Sequence, residues 1–197
     1  MDNKTVEAYN LSSGGYAEDW AKQPPPSDMY ALLERFFRPG KTIDIGCGAG
    51  RDVAWLCNNG FDAIGVDASH GLLSQARKNF PGIRFEPATL PLLSEIKGEL
   101  FQNVLCETVL MHLEKKEIPV ATRSLLDLLM PGGTLYLSWR VTPEASMRDK
   151  NGRLYTSFEQ DSVLQAIGTL AEILFDQEEV SASSGKIIHR VIARRVD

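Results

Sequence analysis

The amino-acid sequence predicts an α/β protein in which helices flank a mostly parallel sheet. Short apolar runs typical of strands alternate with segments of helical hydrophobic spacing along most of the 197 residues. The first run, residues 42–45, leads directly into a glycine-rich turn and a helix-like segment, and the next run ends in an acid, Asp67. A later run, residues 133–139, is apolar almost throughout, as in a parallel strand that is buried on both faces.

Composition indicates an ordinary globular protein. Hydrophobic residues make up 43% and charged residues 24% of a chain long enough for one domain with a full core. The formal net charge of −5 argues against nucleic acid as a partner unless a local basic patch exists. No apolar run is long enough to span a bilayer and no signal peptide is evident. We expect a cytoplasmic protein without membrane association, and the cysteine spacing predicts neither disulfide nor metal site.

The glycine-rich turn runs from Asp44 to Gly50 with the spacing Asp-x-Gly-x-Gly-x-Gly. Glycines permit positive φ and let a ligand approach the backbone closely, and the free N–H groups of the following helix then face that ligand. The dinucleotide fingerprint is Gly-x-Gly-x-x-Gly, and Arg51 stands where its last glycine belongs. The spacing therefore argues against a nicotinamide-dependent oxidoreductase. Alone, the turn also fits a connection that binds nothing.

Asp67 ends the second predicted strand, residues 61–67. It follows the glycines by about 20 residues, the distance at which such folds place a carboxylate on a ribose diol. An ionised carboxylate accepts hydrogen bonds from both ribose hydroxyls. Helix capping is the alternative role, but Ser69 fits it equally well. Strand, glycines, helix, strand and acid together predict a nucleoside site.

The N-terminal segment, residues 1–26, is predicted to form a flap over a single domain comprising residues 27–197. It carries the aromatic residues Tyr9, Tyr16 and Trp20, with a flexible stretch at 12–15 and a short helix at 16–20. Residues 24–26 are three prolines, which form a stiff spacer, and Ser27 is the expected N-cap of a helix over 28–37.

Further elements follow from hydrophobic spacing and turn residues. Helices are predicted over 71–79, 115–130 and, behind a capping box at Ser157, to about residue 166. Strands are predicted over 83–85, 101–106, 133–139, 171–180 and 187–196. The last two must be antiparallel because only the short turn 181–185 joins them. A long charged loop, 141–156, leaves the carboxyl end of a strand, where open α/β sheets bind ligands.

The chain resembles the class I S-adenosylmethionine-dependent methyltransferases. Residues 44–50 are similar to the first motif of that family, residues 65–69 to the second and residues 130–135 to the turn before the fifth strand, in matching order. The resemblance extends roughly from residue 9 to the C-terminus. It implies a Rossmann-like, doubly wound sheet of seven strands in three αβα layers, with an antiparallel last strand. It also implies S-adenosylmethionine as cofactor and S-adenosylhomocysteine as product.

The resemblance suggests cofactor contacts at Tyr16, Asp44, Gly46, Cys47, Gly48, Arg51, Asp67, Ala68, Thr89, Leu90 and Cys106. The family's usual adenine-binding Asp is replaced by Thr89, whose hydroxyl, or the Leu90 backbone, is the expected substitute. Gln102 replaces another Asp that is common in the family. The Cys106 carbonyl is expected to accept a hydrogen bond from the amino group of the methionine part.

Methyl transfer from a sulfonium mainly requires positioning, which removes about 7–11 kcal/mol of barrier. A general base is needed only when the acceptor carries a proton that must leave. The catalytic candidates are His112, Glu107 and Tyr155. His112 alternatively begins or caps a helix, and Glu107 alternatively orients the cofactor's amino group.

The candidates for substrate binding are Tyr9, Arg140, Arg148 and Arg153. An arginine fork suits a carboxylate or phosphate, so these residues favour an anionic acceptor. Alternatively, Tyr9 only packs the flap and the arginines belong to a solvated loop. The leading hypothesis is in-line transfer to an O, N or S atom of a small molecule by a monomer or homodimer. The alternatives are a protein or RNA methyltransferase and a non-catalytic sensor or partner subunit that binds S-adenosylmethionine.

Overall fold

The computed structural model describes residues 1–96, 98–142 and 145–196. The helices are α1 (Asn3–Leu11), α2 (Ser13–Lys22), α3 (Ser27–Phe36), α4 (Arg51–Asn58), α5 (His70–Asn79), α6 (Ile118–Asp127) and α7 (Asp161–Ile167). The strands are β1 (Lys41–Ile45), β2 (Asp62–Asp67), β3 (Phe85–Pro87), β4 (Phe101–Cys106), β5 (Leu129–Arg140), β6 (Met147–Arg148), β7 (Leu154–Tyr155), β8 (Ala171–Val180) and β9 (Ile187–Arg195).

Seven strands form one sheet in the order β3-β2-β1-β4-β5-β9-β8, and β6 pairs with β7 in a separate hairpin. Strands β1 to β5 pair in parallel, whereas β9 pairs antiparallel with both β5 and β8. The order reverses at β1, which is where open α/β sheets form a ligand crevice at the carboxyl ends of their strands. The predicted doubly wound sheet with a reversed last strand is confirmed.

Alternating side chains of the strands pack into two separate cores, one on each face of the sheet. Val104 and Leu135 belong to a core that also contains residues of α6 and α7. Leu105 and Tyr136, their neighbours in the chain, belong to the core formed with α3, α4 and α5. The molecule therefore has three αβα layers.

The N-terminal segment is more helical than the sequence predicted. Residues 12–15 were expected to be flexible, but α2 begins at Ser13 and continues through Gly14 and Gly15. Tyr16 of this helix is buried, and α2 packs against α5. These tertiary contacts outweigh the low helix propensity of two glycines.

Several predicted boundaries were wrong. Pro26, and not Ser27, is the N-cap of α3. The N-cap of α7 is Gln160. The predicted capping box at Ser157 does not form, and the Ser157 N–H donates to Ser146 Oγ instead. The third strand lies at β3, two residues beyond its predicted start. Helix α6 spans only Ile118–Asp127, because a short 3₁₀ turn at Lys115–Glu117 precedes it and β5 begins at Leu129. The predicted loop 141–156 contains the β6–β7 hairpin.

No helix among the described residues is long and apolar enough to cross a membrane. In the same ranges, no cluster of three or more His, Cys, Asp or Glu side chains has a metal-binding arrangement.

Candidate functional site

A cavity of about 480 Å³ lies at the carboxyl ends of β1, β2 and β4. The glycine turn forms its floor, and residues of α1 and α2 and the β6–β7 hairpin cover it. The predicted site residues that line it are Tyr9, Gly46, Cys47, Gly48, Arg51, Asp67, Ala68, Leu90, Glu107, His112, Arg140, Arg153 and Tyr155. The fold therefore brings these residues together at the crevice of the sheet.

The glycine turn depends on its glycines for both its conformation and its packing. Gly46, Gly48 and Gly50 have φ values of 78°, 55° and 88°, which residues other than glycine rarely adopt. A Cβ atom on Gly46 would lie 2.4 Å from Cγ2 of Val109, and one on Gly48 would lie 2.9 Å from Cζ3 of Trp20. The turn thus requires glycine both for its backbone conformation and for the space beside it.

Asp67 connects this turn to the start of α5. Its Oδ2 accepts a hydrogen bond of 2.9 Å from the Gly48 N–H, and its Oδ1 accepts one of 2.7 Å from the Ser69 N–H. Withdrawal from water raises the pKa of the carboxyl, and these backbone donors oppose that rise. Ser69 is the N-cap of α5, its hydroxyl accepting from Leu72 N–H, so the capping role belongs to Ser69. Asp67 remains available to a ligand in the cavity.

The other predicted site residues do not line the cavity: Tyr16, Asp44, Thr89, Cys106 and Arg148. Asp44 and Cys106 are buried within β1 and β4, and burial together with nearby carboxylates raises the pKa of Asp44 well above its usual range. Tyr16 stacks behind the cavity wall against Trp20, with ring centroids 5.7 Å apart. Thr89 is exposed, and the exposed Arg148 is paired with Asp2 at 2.8 Å.

His112 is a buried, neutral imidazole. Its Nδ1 lies 2.6 Å from the Leu154 carbonyl, which only accepts hydrogen bonds, so Nδ1 carries the proton. Its Nε2 therefore accepts from the Tyr9 hydroxyl at 2.9 Å. Burial lowers the pKa of His112 from 6.5 to about 4. The imidazole is thus held in one tautomer with its lone pair directed at Tyr9.

Arg153 occupies an aromatic cluster above this pair. Its guanidinium lies 4.8 Å from the ring centroid of Tyr16 and 5.3 Å from that of Tyr9, and it donates to the Tyr9 oxygen at 3.3 Å. Asp149 holds it from the other side at 2.7 Å. Arg153 therefore lies at the cavity wall but already has several partners.

The β6–β7 hairpin and α1 form a roof over the cavity, joined by polar contacts. Leu154 N–H donates to Thr5 Oγ1 at 2.8 Å, and Arg148 forms its ion pair with Asp2. The roof extends to α2, where the Asn151 amide donates to the Tyr16 hydroxyl at 2.9 Å. Residues distant in the sequence thus cover the site together.

Glu107 forms the wall at the end of β4. It accepts a hydrogen bond from the hydroxyl of Ser138 in β5. Thr108, with φ 53°, donates its N–H to Ser138 Oγ at 3.0 Å. A positive φ at a non-glycine residue costs energy and is common at functional sites. Burial raises the pKa of Glu107, while the Ser138 hydroxyl favours its ionised form.

Sequence reasoning gave no site role to Trp20 and missed the tip of the β8–β9 hairpin. Ser183 of this tip lines the cavity, donates to Gln23 Oε1 at 3.2 Å and accepts from Arg51 at 3.5 Å. Lys186 also lines the cavity. No local pattern signals these positions, because the antiparallel pairing of β9 with β5 brings them to the site. Trp20 carried a signal, as an aromatic residue in the predicted flap.

The comparison with known proteins agrees with this geometry. Residues 43–133 match a family model described as a methyltransferase domain. Over these residues the chain is similar to methyltransferase domains. Its curated relatives include a trans-aconitate 2-methyltransferase from Methylobacterium nodulans, 31% identical over 115 residues, which are 56% of this chain and 42% of that protein. A ribosomal RNA small subunit methyltransferase C from Alcanivorax borkumensis is 30% identical over 51% of this chain and 32% of that protein. The chain thus matches less than half the length of these relatives.

Solved structures share the fold of this methyltransferase domain. A Burkholderia thailandensis 1,6-didemethyltoxoflavin-N1-methyltransferase, with its substrate and S-adenosylhomocysteine bound, has a TM-score of 0.73 and 21% identity over 98% of this chain and 88% of that one. A methyltransferase from Methanosarcina mazei has a TM-score of 0.73 and 16% identity over 85% of this chain and 98% of that one. At these low sequence identities, the similarity shows only that the proteins share a fold.

The residues of the cavity fit S-adenosylmethionine, the cofactor that the resemblance implies. Gly46 and Gly48 line the cavity before the N-terminus of α4, and Asp67 offers a carboxylate beside them for the ribose hydroxyls. Glu107 lies across β1 from Asp67, at the end of β4, where a carboxylate suits a positively charged group. The cavity thus offers complementary groups for both the nucleoside and the amino acid part.

Proposed function

We propose that the domain transfers a methyl group from S-adenosylmethionine to an O, N or S atom of a small anionic acceptor. The observation that carries the proposal is a single cavity that contains both the cofactor cradle and the cationic side chains of Arg140 and Lys186. Cofactor and acceptor bound in one cavity are held in contact, and such positioning is the main requirement of the reaction.

The proposed acceptor site lies where β5 and β9 end beside the cavity. Arg140 pairs in register with Ile188, so the two side chains share one face of the sheet. Lys186 lies just before β9 and lines the cavity together with Ile188. Arg140 also lies over the ring of Tyr155, 5.1 Å from its centroid. Two cations beside an aromatic ring suit a carboxylate or phosphate attached to a flat or apolar body.

The small size of the acceptor is supported by the roof. Helices α1 and α2 and the β6–β7 hairpin contact each other through Thr5, Tyr16, Asn151 and Leu154, directly above the site. A protein or RNA acceptor would have to displace these contacts. One curated relative is named for trans-aconitate, a carboxylate, and another for ribosomal RNA, so the relatives support both classes. The contacts between the roof elements favour a small carboxylate.

When bound, S-adenosylmethionine supplies a methyl group already activated by its sulfonium. Where the acceptor carries a proton, His112 is a candidate for general catalysis because it lines the cavity with its Nε2 lone pair directed at the Tyr9 hydroxyl. Glu107 and Tyr155 line the same cavity and remain the other candidates. Arg153, beside Tyr9, favours negative charge on the phenol oxygen.

The proposal is tested by measuring S-adenosylhomocysteine formation with panels of small carboxylic acids, organic phosphates, phenols, amines, and ribosomal RNA. We expect turnover with a small anionic compound, and a raised KM for that compound in Arg140→Gln with little change in S-adenosylmethionine affinity. Arg123→Gln, which removes a positive charge from the exposed face of α6 away from the cavity, serves as the control for net charge. Methylation of RNA alone would contradict the choice of acceptor. Cofactor binding without turnover on any panel would favour a sensor or partner subunit.

A further inference from the structure

Three hydrogen-bonded side chains connect helix α3 to the cation at the start of α4. The Tyr30 hydroxyl donates to Oδ1 of Asp52 at 2.8 Å. Asp52 also accepts from Arg51 through both carboxylate oxygens, from Nε at 2.9 Å and from Nη2 at 3.1 Å. Arg51 and Asp52 line the cavity, whereas Tyr30 does not. Tyr30 can therefore affect a ligand in the cavity through the other two residues.

The position of the Tyr30 hydroxyl follows from the surface of α4. Asp52 and Trp55 are three residues apart in this helix and therefore lie on one face of it. The Tyr30 ring stacks on Trp55, with ring centroids 4.1 Å apart and an interplanar angle of 5°. The stacked ring brings its hydroxyl to Asp52, nearer the start of α4. Burial and the neighbouring Asp52 raise the pKa of Tyr30, so the hydroxyl keeps its proton and remains a donor.

The contact between Arg51 and Asp52 is unusual for neighbours in a helix. Side chains of successive helical residues point in different directions and do not normally face each other. Here both oxygens of Asp52 meet the side of the guanidinium that contains Nε. The Tyr30 hydroxyl holds the carboxylate, and the carboxylate holds the guanidinium. Arg51 thus has a defined orientation although 36% of its side chain is exposed.

The guanidinium of Arg51 keeps two donors for a ligand. Arginine has five N–H donors, one on Nε and two on each terminal nitrogen. Asp52 takes one from Nε and one from Nη2, and Ser183 accepts one from Nη1 at 3.5 Å. In the part of the chain that the structure describes, the other two, one on each terminal nitrogen, have no protein partner. Two donors on a planar fork match the two oxygens of a carboxylate.

The anion that fits this position is the carboxylate of the cofactor's methionine part. Helix α4 begins directly after the glycine turn, so Arg51 lies beside the turn that Asp67 contacts from β2. The cations Arg140 and Lys186 line the cavity farther along the sheet, at β5 and β9, and Arg153 already has several partners. The start of a helix also favours negative charge. S-adenosylmethionine has one anionic group, its carboxylate, and Arg51 is the cation nearest to the glycine turn in sequence.

We propose that Tyr30 is a positioning residue that acts through Asp52 and holds Arg51 as the binding group for the carboxylate of the cofactor. This inference rests on the proposed function, because it takes S-adenosylmethionine as the bound cofactor. It assigns a role to a residue of α3 that lies outside the cavity and whose effect on the cofactor passes through α4.

The test compares S-adenosylmethionine with decarboxylated S-adenosylmethionine, which keeps the nucleoside, the sulfonium and the ammonium group but lacks the carboxylate. Calorimetric titration of the wild type and of Tyr30→Phe measures both dissociation constants. The substitution keeps a ring beside Trp55 and removes only the hydroxyl. We expect Tyr30→Phe to bind S-adenosylmethionine at least about fivefold more weakly, because the orientation of Arg51 is lost. The affinity for the decarboxylated ligand should change by less than about twofold.

A double-mutant cycle shows whether the effect of Tyr30 passes through Arg51. Arg51→Gln should weaken S-adenosylmethionine at least about 10-fold, because the charged partner of the carboxylate is removed, and should not weaken the decarboxylated ligand. Tyr30→Phe should have no further effect when it is added to Arg51→Gln. Thr122→Val removes a buried hydroxyl from α6, on the opposite face of the sheet, and should leave both ligands unaffected. Thermal unfolding of each variant distinguishes altered binding from loss of the fold.

Equal weakening of both ligands by Tyr30→Phe or by Arg51→Gln would overturn the proposal, because the carboxylate would then not be the group concerned. Unchanged binding of S-adenosylmethionine in Tyr30→Phe, or a full effect of Tyr30→Phe in the Arg51→Gln protein, would overturn it as well. These results leave the proposed function intact, since the wild-type protein still binds the cofactor. A wild-type protein that binds neither S-adenosylmethionine nor S-adenosylhomocysteine would instead overturn the proposed function, and this inference with it.

Discussion

His112 shows how burial sets the protonation state of a single residue in this site. Its ring lies between the Leu154 carbonyl and the Tyr9 hydroxyl, two partners that are both satisfied by the neutral form. Protonation would place a charge in a buried position beside Arg153, and the pKa of His112 is accordingly about 4. At neutral pH His112 is therefore uncharged and accepts a hydrogen bond from Tyr9. It does not offer a positive charge to an anionic substrate.

The pKa of His112 predicts a specific dependence of stability on pH. The unfolded chain takes up this proton near 6.5 but the folded protein only at about 4, so the free energy of unfolding falls as the pH is lowered through that window. A difference of this size corresponds to as much as about 3 kcal/mol. Urea denaturation between the two pH values should show this loss in the wild type and a smaller one in His112→Gln. An identical pH dependence in both proteins would refute the assignment.

Asp67 is expected to be the main contact for the ribose. Asp67→Ala removes a charged acceptor in the cavity and one end of the link to Gly48. We expect the dissociation constant for S-adenosylmethionine to rise at least about 10-fold. Asp62→Ala, at the exposed start of the same strand, is the matched control and should leave binding unchanged. Equal affinity of wild type and Asp67→Ala would remove Asp67 from the site.

At the scale of elements, the turn between β1 and α4 needs glycine for two reasons: a positive φ and too little room for a Cβ atom. Gly46 and Gly60 both have positive φ, 78° and 86°. Only Gly46 has a neighbour, Val109, in the way of a Cβ atom, whereas a Cβ on Gly60 would meet nothing within 4 Å. Alanine at Gly60 would therefore introduce backbone strain alone, whereas alanine at Gly46 would also introduce a steric clash.

Alanine substitution at these two glycines should have unequal effects. Gly60→Ala should cost about 1–2 kcal/mol, the strain of a left-handed residue. Gly46→Ala should cost clearly more, because Val109 must also move, and it should abolish cofactor binding. Chemical denaturation and calorimetric titration of both variants measure this difference. Similar stability losses in the two variants would show that the space beside Gly46 is not limiting.

Some elements follow from the sequence and others depend on contacts that local patterns do not encode. The glycine turn, the acid at Asp67 and the buried strand β5 each have a local physical cause, and the sequence predicted them. Helix α2 was missed at Gly14 and Gly15, because its stability comes from packing on α5 and on the buried Tyr16. The positions of Lys186 and Arg190 depend on the register of β9 against β5, which no pattern within either strand specifies.

At the scale of the whole molecule, the order of the strands determines the polarity of the site. Because β2 and β4 flank β1, the carboxylates of Asp67 and Glu107 lie on opposite sides of the glycine turn. Beyond β4, β5 and β9 bring Arg140 and Lys186 to the same cavity. A chain with a net charge of −5 thus concentrates positive side chains at one end of its ligand site.

The roof should respond to the cofactor as a unit. Its contacts, Thr5 with Leu154 and Tyr16 with Asn151, join parts of the chain far apart in sequence by single polar interactions. Such contacts open more easily than the core of the sheet. Hydrogen exchange of residues 3–11 and 147–155 should slow together when S-adenosylhomocysteine binds. Protection of only one segment would show that they do not act as one roof.

The most direct test of the methyltransferase assignment is calorimetric titration of the purified protein with S-adenosylmethionine, S-adenosylhomocysteine and NAD. The cradle between Asp67 and Glu107, and Arg51 in place of the last glycine of the dinucleotide fingerprint, predict dissociation constants on the order of micromolar for the first two ligands. They predict no binding of NAD. Binding of NAD, or binding of neither sulfur nucleoside, would contradict the assignment.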